Sequence, residues 1–310
     1  MDTLSQFLDL LQTKVIIDTQ CRLGGSFVIP HTELELNQTF FHLVLSGTCH
    51  IHTSGGVSHT LNAGDFILLL GGVAHTIQDS ETKIQSLAFI PDTTQIDKDW
   101  IVPLKFTPAS KGVNSVDLLC GRFICSQVAG ILFMQNLPQA MVVNLQSSPG
   151  LPALTALAML LRQEGVHQQP GAYSIMQALA NALLGYALRA YKQSGKSQAS
   201  WLALSADPRL NKSLTAMLNE PGHPWTIDSL AKLCAMSRAT YARQFKVSTG
   251  QSPGEVLLHI RMLHACRLMR QTSRSLADIA NEVGYLSEAA FGKAFKQTLG
   301  QTPGQWRKYP

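Results

Sequence analysis

Two stretches of the chain, SRATYARQFKVSTGQSPG (237–254) and SEAAFGKAFKQTLGQTPG (287–304), lie fifty residues apart and agree at 8 of 18 positions. In each, an aromatic pair, Tyr241 with Phe245 and Phe291 with Phe295, falls at i, i+4 and so points one way, into a core. The opposite face then carries Arg238, Ala239, Ala242, Arg243 and Lys246 in the first copy, and Glu288, Ala289, Gly292, Lys293 and Lys296 in the second. Small side chains let a helix approach a groove closely, and Arg and Lys supply donors for guanine edges and phosphate oxygens. The chemistry these residue types can do is recognition of duplex DNA.

Such faces need helices held at a fixed spacing. Ile227, Leu230, Ala231 and Cys234 sit at i, i+3, i+4, i+7, as do Leu276, Ile279, Ala280 and Val283, so an apolar helix precedes each stretch. A short turn follows, and then Ser237 or Ser287 as the N-cap of the second helix. Helix, tight turn and capped helix make a helix-turn-helix, here in two copies. Between them Val256, Leu257, Ile260, Leu263 and Leu268 keep helical periodicity, which predicts one amphipathic helix over 253–272 with His264 packed on its apolar side. At 1.5 Å per residue it spans roughly 30 Å, close to the ~34 Å between successive major grooves on one side of a duplex.

Charge supports this placement. Residues from 207 onward carry 14 Lys/Arg against 7 Asp/Glu, whereas residues 1–206 carry 11 against 13, so a basic third is joined to a near-neutral remainder. A basic segment of this kind fits a polyanionic partner. The N-terminal residues have no basic start followed by a long apolar run, and no apolar run of about 18 residues occurs anywhere, which predicts a cytoplasmic protein with no membrane association. The six cysteines are scattered without C-x-x-C pairs, as expected for reduced thiols.

The front half has a different texture. FFHLVLSG, TCHIH, HTLNAGD, FILLLGG, AHTI and KIQSLAFI are short apolar runs separated by turn residues, the pattern of a small β-barrel or sandwich. From Leu151 the chain becomes Ala- and Leu-rich, predicting helices over 152–163 and 171–191 that either dimerise or pack onto the barrel. The fold class expected is α+β: a barrel-type sensor domain over 1–148, a helical dimerisation or packing segment over 149–191, a linker over 192–206, and an all-α DNA-binding domain over 207–310.

DIANEVGYLSEAAFGKAFKQTLGQTPGQWRK (278–308) resembles the signature of the AraC/XylS family of transcription regulators, with Ile279, Ala280, Gly284, Tyr285, Phe291, Phe295, Gly300, Pro303 and Arg307 in the family's places. The resemblance covers about a hundred residues and implies promoter binding, RNA polymerase as a partner, and a homodimer that activates transcription. It selects Ala239, Ala242, Arg243, Ala289, Gly292 and Lys293 as base-facing positions. LNAGDFILLLGGVAH is similar to the second cupin motif through Gly64, Gly72 and His75, with Leu70 where proline is usual. The first cupin motif is mostly lost, its glutamate position falling on Phe40. DLLCGRF (117–123) is typical of cupin sensor domains fused to such regulators, and the region of Cys21, His42 and His75 is similar to their reactive-chlorine-responsive members.

A catalytic cupin holds its metal with three histidines and a carboxylate. The loss of at least two of these argues against an enzyme, and no cofactor or metal is expected. The alternatives are a regulator that binds a small molecule without redox chemistry and a metal-dependent cupin enzyme with a DNA-binding tail. A metal site rebuilt from His42, His75, His50 or His52 is a further option. His50 and His52 share one face of a strand and are solvent-facing if Ile51 is buried. Cys21 stands beside Arg22, whose charge would favour a reactive thiolate, and is open to either a sensing or a plain core role.

Overall fold

The computed structural model describes residues 2–79, 95–97, 104–106, 115–126, 128, 137–144, 151–167, 169–193 and 200–308. The segments KIQSLAFI and 194–199 of the expected linker lie outside them. The chain forms two compact units, one of residues 13–125 with 138–194, the other of 1–12, 126–137 and 195–310.

The first unit is built from two sheets. Strands β1 (Lys14–Gly24), β3 (Gln38–Ser46), β6 (Asp65–Leu69), β8 (Gln95–Asp97), β9 (Leu104–Phe106), β10 (Ser115–Ile124) and β11 (Ala140–Asn144) form a seven-stranded sheet in the order β11-β6-β3-β10-β1-β9-β8. Strands β2 (Val28–His31), β4 (Thr48–Thr53), β5 (Ser58–Asn62) and β7 (His75–Gln78) form the second, in the order β2-β7-β4-β5. Pro30, which has no N–H to donate, lies in the edge strand β2, where a missing ladder bond is tolerated. Between the sheets is an apolar interior that includes Cys21, Leu23, Phe40, Val44, Cys49, Ile51, Ile67, Ile77, Leu118 and Cys120.

Because side chains alternate along a strand, Phe40, His42 and Val44 enter that interior while Phe41 and Leu43 face the other way. The outer face of the large sheet is covered by helices. Leu151–His167 (α2) pairs with Ala172–Gln193 (α3), and α3 packs against β1 and β11, its Gln177 Nε2 donating to the Val15 carbonyl at 2.6 Å. Met176, Ala180, Leu183, Leu184, Ala187 and Leu188 are buried, so packing onto the sheet accounts for the Ala- and Leu-rich pattern of α3. Met159, Leu160 and Ile175 stay exposed.

The second unit is helical. After a first helix, α1 (Thr3–Leu11), come α4 (Trp201–Ala206), α5 (Leu210–Asn219), α6 (Ile227–Leu233), α7 (Arg238–Thr249), α8 (Pro253–Gln271), α9 (Leu276–Glu282), α10 (Glu288–Leu299) and α11 (Pro303–Lys308). Helix α4 begins inside the stretch 192–206 that reads as a linker. Helix α1 packs with α5 and α8. Its Phe7 is fully buried and stacks on Trp201 at 4.2 Å, Thr3 donates to Asn211 Oδ1 at 2.9 Å, and Asp9 pairs with Arg267 at 2.6 Å. Residues 1–12 therefore group with the helices, whereas the sequence places them with the barrel.

The repeated words of the sequence are punctuation. In both copies a glycine in the left-handed conformation, Gly250 (φ 77°) and Gly300 (φ 76°), ends the second helix. Ser252 and Thr302 then cap the next helix, each reciprocally with the residue three places on, Glu255 or Gln305, and Pro253 and Pro303 open it. The turn inside each helix-turn-helix also needs a left-handed residue, Ala235 (φ 53°) in one and Gly284 (φ 86°) in the other.

Gly121 allows a close approach of neighbouring strands in the barrel. It lies in register with Phe41 and Ile17, and a Cβ there would collide with the Ile16 carbonyl oxygen and the Phe41 ring. Gly121→Ala is expected to destabilise the barrel unit by roughly 1–3 kcal/mol, as overpacking of a tight core does. A urea titration followed by far-UV circular dichroism measures the loss; an unchanged midpoint would show that the sheet yields freely at this point.

Candidate nucleic-acid interface and sensor site

Ser237, Arg238, Ala239, Arg243 and Lys246 are exposed on α7 and Ala242 is half-buried; Ser287, Ala289, Lys293 and Lys296 are exposed on α10 and Gly292 is half-buried. The opposite side of each helix is anchored by fully buried aromatics, Tyr241 with Phe245 and Phe291 with Phe295. Ser237 and Ser287 accept from the backbone N–H groups of Thr240 and Ala290, both at 3.2 Å, so their hydroxyl oxygens serve first as caps. Arg238 is paired with Asp228 at 3.3 Å, whereas the side chains of Arg243, Lys293 and Lys296 make no hydrogen bond or ion pair among the described residues. Leu233, Val247 and Leu286 are also exposed near the two motifs, apolar positions that helical periodicity did not single out.

Helix α8 separates the two motifs with 19 residues, about 28 Å at 1.5 Å per residue. Arg261, near its middle, fixes both. Its Nε donates to the Pro221 carbonyl at 2.8 Å and its Nη2 to the His223 carbonyl at 3.0 Å, in the loop that leads to α6. The same guanidinium lies over the Tyr285 ring, 5.8 Å from its centroid, in the turn of the second motif. Gly284 makes room for it, since a Cβ there would stand 2.7 Å from Arg261 Nη2 and from the Gly222 carbonyl oxygen. His264 is half-buried on α8, and burial first, with the Arg267 charge next, pushes its pKa down to about 4.

The barrel brings three imidazoles together. His31 and His75 are register partners on β2 and β7 of the small sheet, and His42 enters from β3 of the large one. His75 and His42 face each other through Nε2 atoms 2.8 Å apart, and His31 stacks on His75 with ring centroids 4.4 Å apart. His75 Nδ1 lies 2.9 Å from the Val73 carbonyl, which can only accept, so that nitrogen carries the proton and Nε2 keeps its lone pair. His42 is fully buried and its Nδ1 has no partner among the described residues. Burial, then the neighbouring His75 and His31, holds His42 well below the usual imidazole range, and burial brings His75 to about 4. His42 and His75 are therefore lone-pair donors at neutral pH. The sequence pointed to His42 and His75; His31 was missed, because only the β2–β7 register places it beside them.

His50 and His52 are not part of this cluster. Ile51 and Cys49 are fully buried, and the two histidines lie on the other face of β4, bonded to Thr60 and Ser58. Cys21 is buried at 1% exposure in the apolar interior. Arg22 points to the opposite face of β1, 3.7 Å from Asp117, so its charge is directed at a carboxylate and not at the thiol. Cys120 is the register partner of His42 on β10, with its side chain in the same interior. Burial, with Asp65, pushes the Cys49 thiol up to about 12, and burial does the same for Cys125.

Two exposed, matched helices in paired helix-turn-helix motifs, joined in one chain to a two-sheet barrel with a buried polar cluster, define a DNA-binding regulator with a cupin N-terminal domain. A cupin model matches residues 2–193 and a helix-turn-helix domain model residues 230–309. The chain belongs to the AraC family of transcription regulators. It is 33% identical to an uncharacterised HTH-type transcriptional regulator of Haemophilus influenzae over 99% of both chains. To the HTH-type transcriptional regulator MtrA of Neisseria gonorrhoeae it is 30% identical, over 99% of this chain and 98% of that one. To the RCS-specific HTH-type transcriptional activator RclR of Escherichia coli it is 28% identical, over 99% and 98%. These relatives are named as regulators of transcription. Among the described residues, no helix is long and apolar enough to cross a membrane.

His264 gives the helical unit a defined acid sensitivity. An unfolded histidine titrates near 6.5 and this one at about 4, so between those values the unfolded chain holds more protons. Stability must fall as pH drops through that window. Urea midpoints read by tryptophan fluorescence, Trp201, Trp225 and Trp306 being in this unit, should decline from pH 7 to pH 5, and His264→Gln should flatten the decline. An equally steep slope in the variant would place the acid sensitivity elsewhere.

Proposed function

We propose that the chain is a cytoplasmic, homodimeric activator that sets α7 and α10 into two successive major grooves of promoter DNA and presents RNA polymerase with the resulting complex, while its barrel registers an oxidant of the reactive-chlorine type. The observation that supports the DNA reading is the pair of matched outward faces, Ala239, Ala242, Arg243 and Ala289, Gly292, Lys293, joined by the 19-residue helix α8. Arg243 and Lys293 read base edges, and Arg238, Lys246 and Lys296 meet phosphates. The similarity to RclR, whose name describes a reactive-chlorine-specific activator, supports the oxidant reading. The exposed Met159, Leu160 and Ile175 are the surface available for the second subunit. Signal passes from barrel to helices along the chain itself, since β1, which carries Cys21, follows α1 after only Gln12 and Thr13.

One observation favours a second reading, a regulator that binds a small molecule without redox chemistry: Cys21 is enclosed in apolar surroundings, and buried thiols react slowly. Promoter output under hypochlorous acid separates the two. Loss of the response in Cys21→Ser or in Cys120→Ser is the outcome expected of oxidant sensing, and a full response in both variants would exclude these thiols as the trigger.

Base reading is tested with a site recovered by genome-wide binding. Arg243→Ala should cost roughly 1–3 kcal/mol on that site by fluorescence anisotropy and much less on scrambled DNA. Equal losses on both would assign Arg243 to the phosphates.

A further inference from the structure

We propose that His31, His42 and His75 hold a transition-metal ion, zinc or a cation of similar preference, between the two sheets of the barrel. The loss of the first cupin motif removes the usual ligand positions: Phe40 stands where its glutamate would be, and no carboxylate joins the three histidines among the described residues. The site assembled here is a different one. It takes one histidine from each of β2, β3 and β7, and one ligand nitrogen of each lies within 4.8 Å of the other two.

The arrangement has the features that imidazole ligation requires. Metal-binding histidines usually donate their second ring N–H to a carbonyl or carboxylate, which fixes the tautomer. His75 does this through Val73, and so aims the Nε2 lone pair at His42. In the metal-free pair one of the two facing Nε2 atoms must carry a proton. A metal ion takes the place of that hydrogen bond, the His42 proton then sitting on Nδ1, and no net proton is released. Tetrahedral zinc with Zn–N bonds of ~2.0–2.1 Å separates ligand nitrogens by about 3.3 Å, so the 2.8 Å pair opens by only about half an ångström. Phe40 stands edge-on to both His31 and His75, with centroids 5.4 and 4.8 Å away, and walls the cluster with carbon. His31 is the half-buried member and marks the side from which an ion enters.

A neutral three-imidazole set without thiolate or hard oxygen ligands selects zinc, cobalt, nickel or copper over magnesium, calcium or manganese. Three protein ligands leave a fourth position for water or a small anion. The ion would tie β2 and β7 of the small sheet to β3 of the large one, and His42 would carry its influence to Cys120, its register partner.

The experiment uses the full chain, stripped with a chelator and dialysed. Zinc is titrated by calorimetry, and cobalt by its visible d–d absorption, which reports coordination number. One ion per chain, a tetrahedral cobalt spectrum and a higher melting temperature of the barrel with zinc are the expected results. Affinity should fall at least tenfold in His75→Asn and in His31→Gln, the latter at a half-exposed position where folding is least at risk, and should persist in His50→Gln/His52→Gln. No saturable binding by the wild type would overturn the proposal. So would binding that survives in both His31→Gln and His75→Asn, or that disappears in the His50/His52 double variant alone.

Discussion

One guanidinium holds the DNA-binding unit to its geometry. Arg261 donates to two backbone carbonyls ahead of the first motif and lies over Tyr285 in the second, so one side chain on the connecting helix sets both motifs against it. Arginine suits the place, because its planar fork can satisfy two carbonyls and still present a face to an aromatic ring. A lysine would offer a point charge and no such geometry. The space for the fork exists only because residue 284 lacks a Cβ. The length of α8 sets the separation of the two motifs along the chain, and Arg261 contacts the approach to one and the turn of the other.

The barrel obeys a different constraint, the two-residue alternation of strands. It gives β1, β3 and β10 an inner row containing Cys21, His42 and Cys120, and an outer row that receives α2 and α3. Polar groups in such an interior must find partners or stay neutral. The histidines stay neutral, their pKa values lowered by burial. Arg22 avoids the interior by standing one residue out of phase with Cys21 and meeting Asp117.

Much of this was legible in the sequence. The helix-turn-helix motifs were readable because their signals are local: apolar quartets at helical spacing, serine caps, and glycine–proline stops. The same holds for β3 to β7, where turn residues punctuate short apolar runs. What could not be read depends on partners distant along the chain. His31 gained its meaning from a register with His75, 44 residues later. The apolar face of α1, with Phe7, Leu10 and Leu11, shows in the sequence only as an amphipathic pattern; that it meets Trp201 is settled by tertiary packing alone. The effect of Arg22 on Cys21 was inferred from adjacency, and adjacency in a strand places neighbours on opposite faces.

The packing of α1 among α4, α5 and α8 makes the two units a discontinuous pair. The polypeptide passes between them at Gln12–Thr13, at Cys125–Ser126, at Leu137–Pro138 and at Ser194–Gly195. A single backbone cut in the 194–199 stretch would therefore leave α1 on the fragment that carries the barrel, and α4–α11 would be held to that fragment by their packing on α1 and not by a covalent bond. Conversely, a fragment beginning at residue 207 would leave behind both Trp201 and the helix that stacks on it, so the smallest piece that keeps the unit whole is not contiguous in sequence.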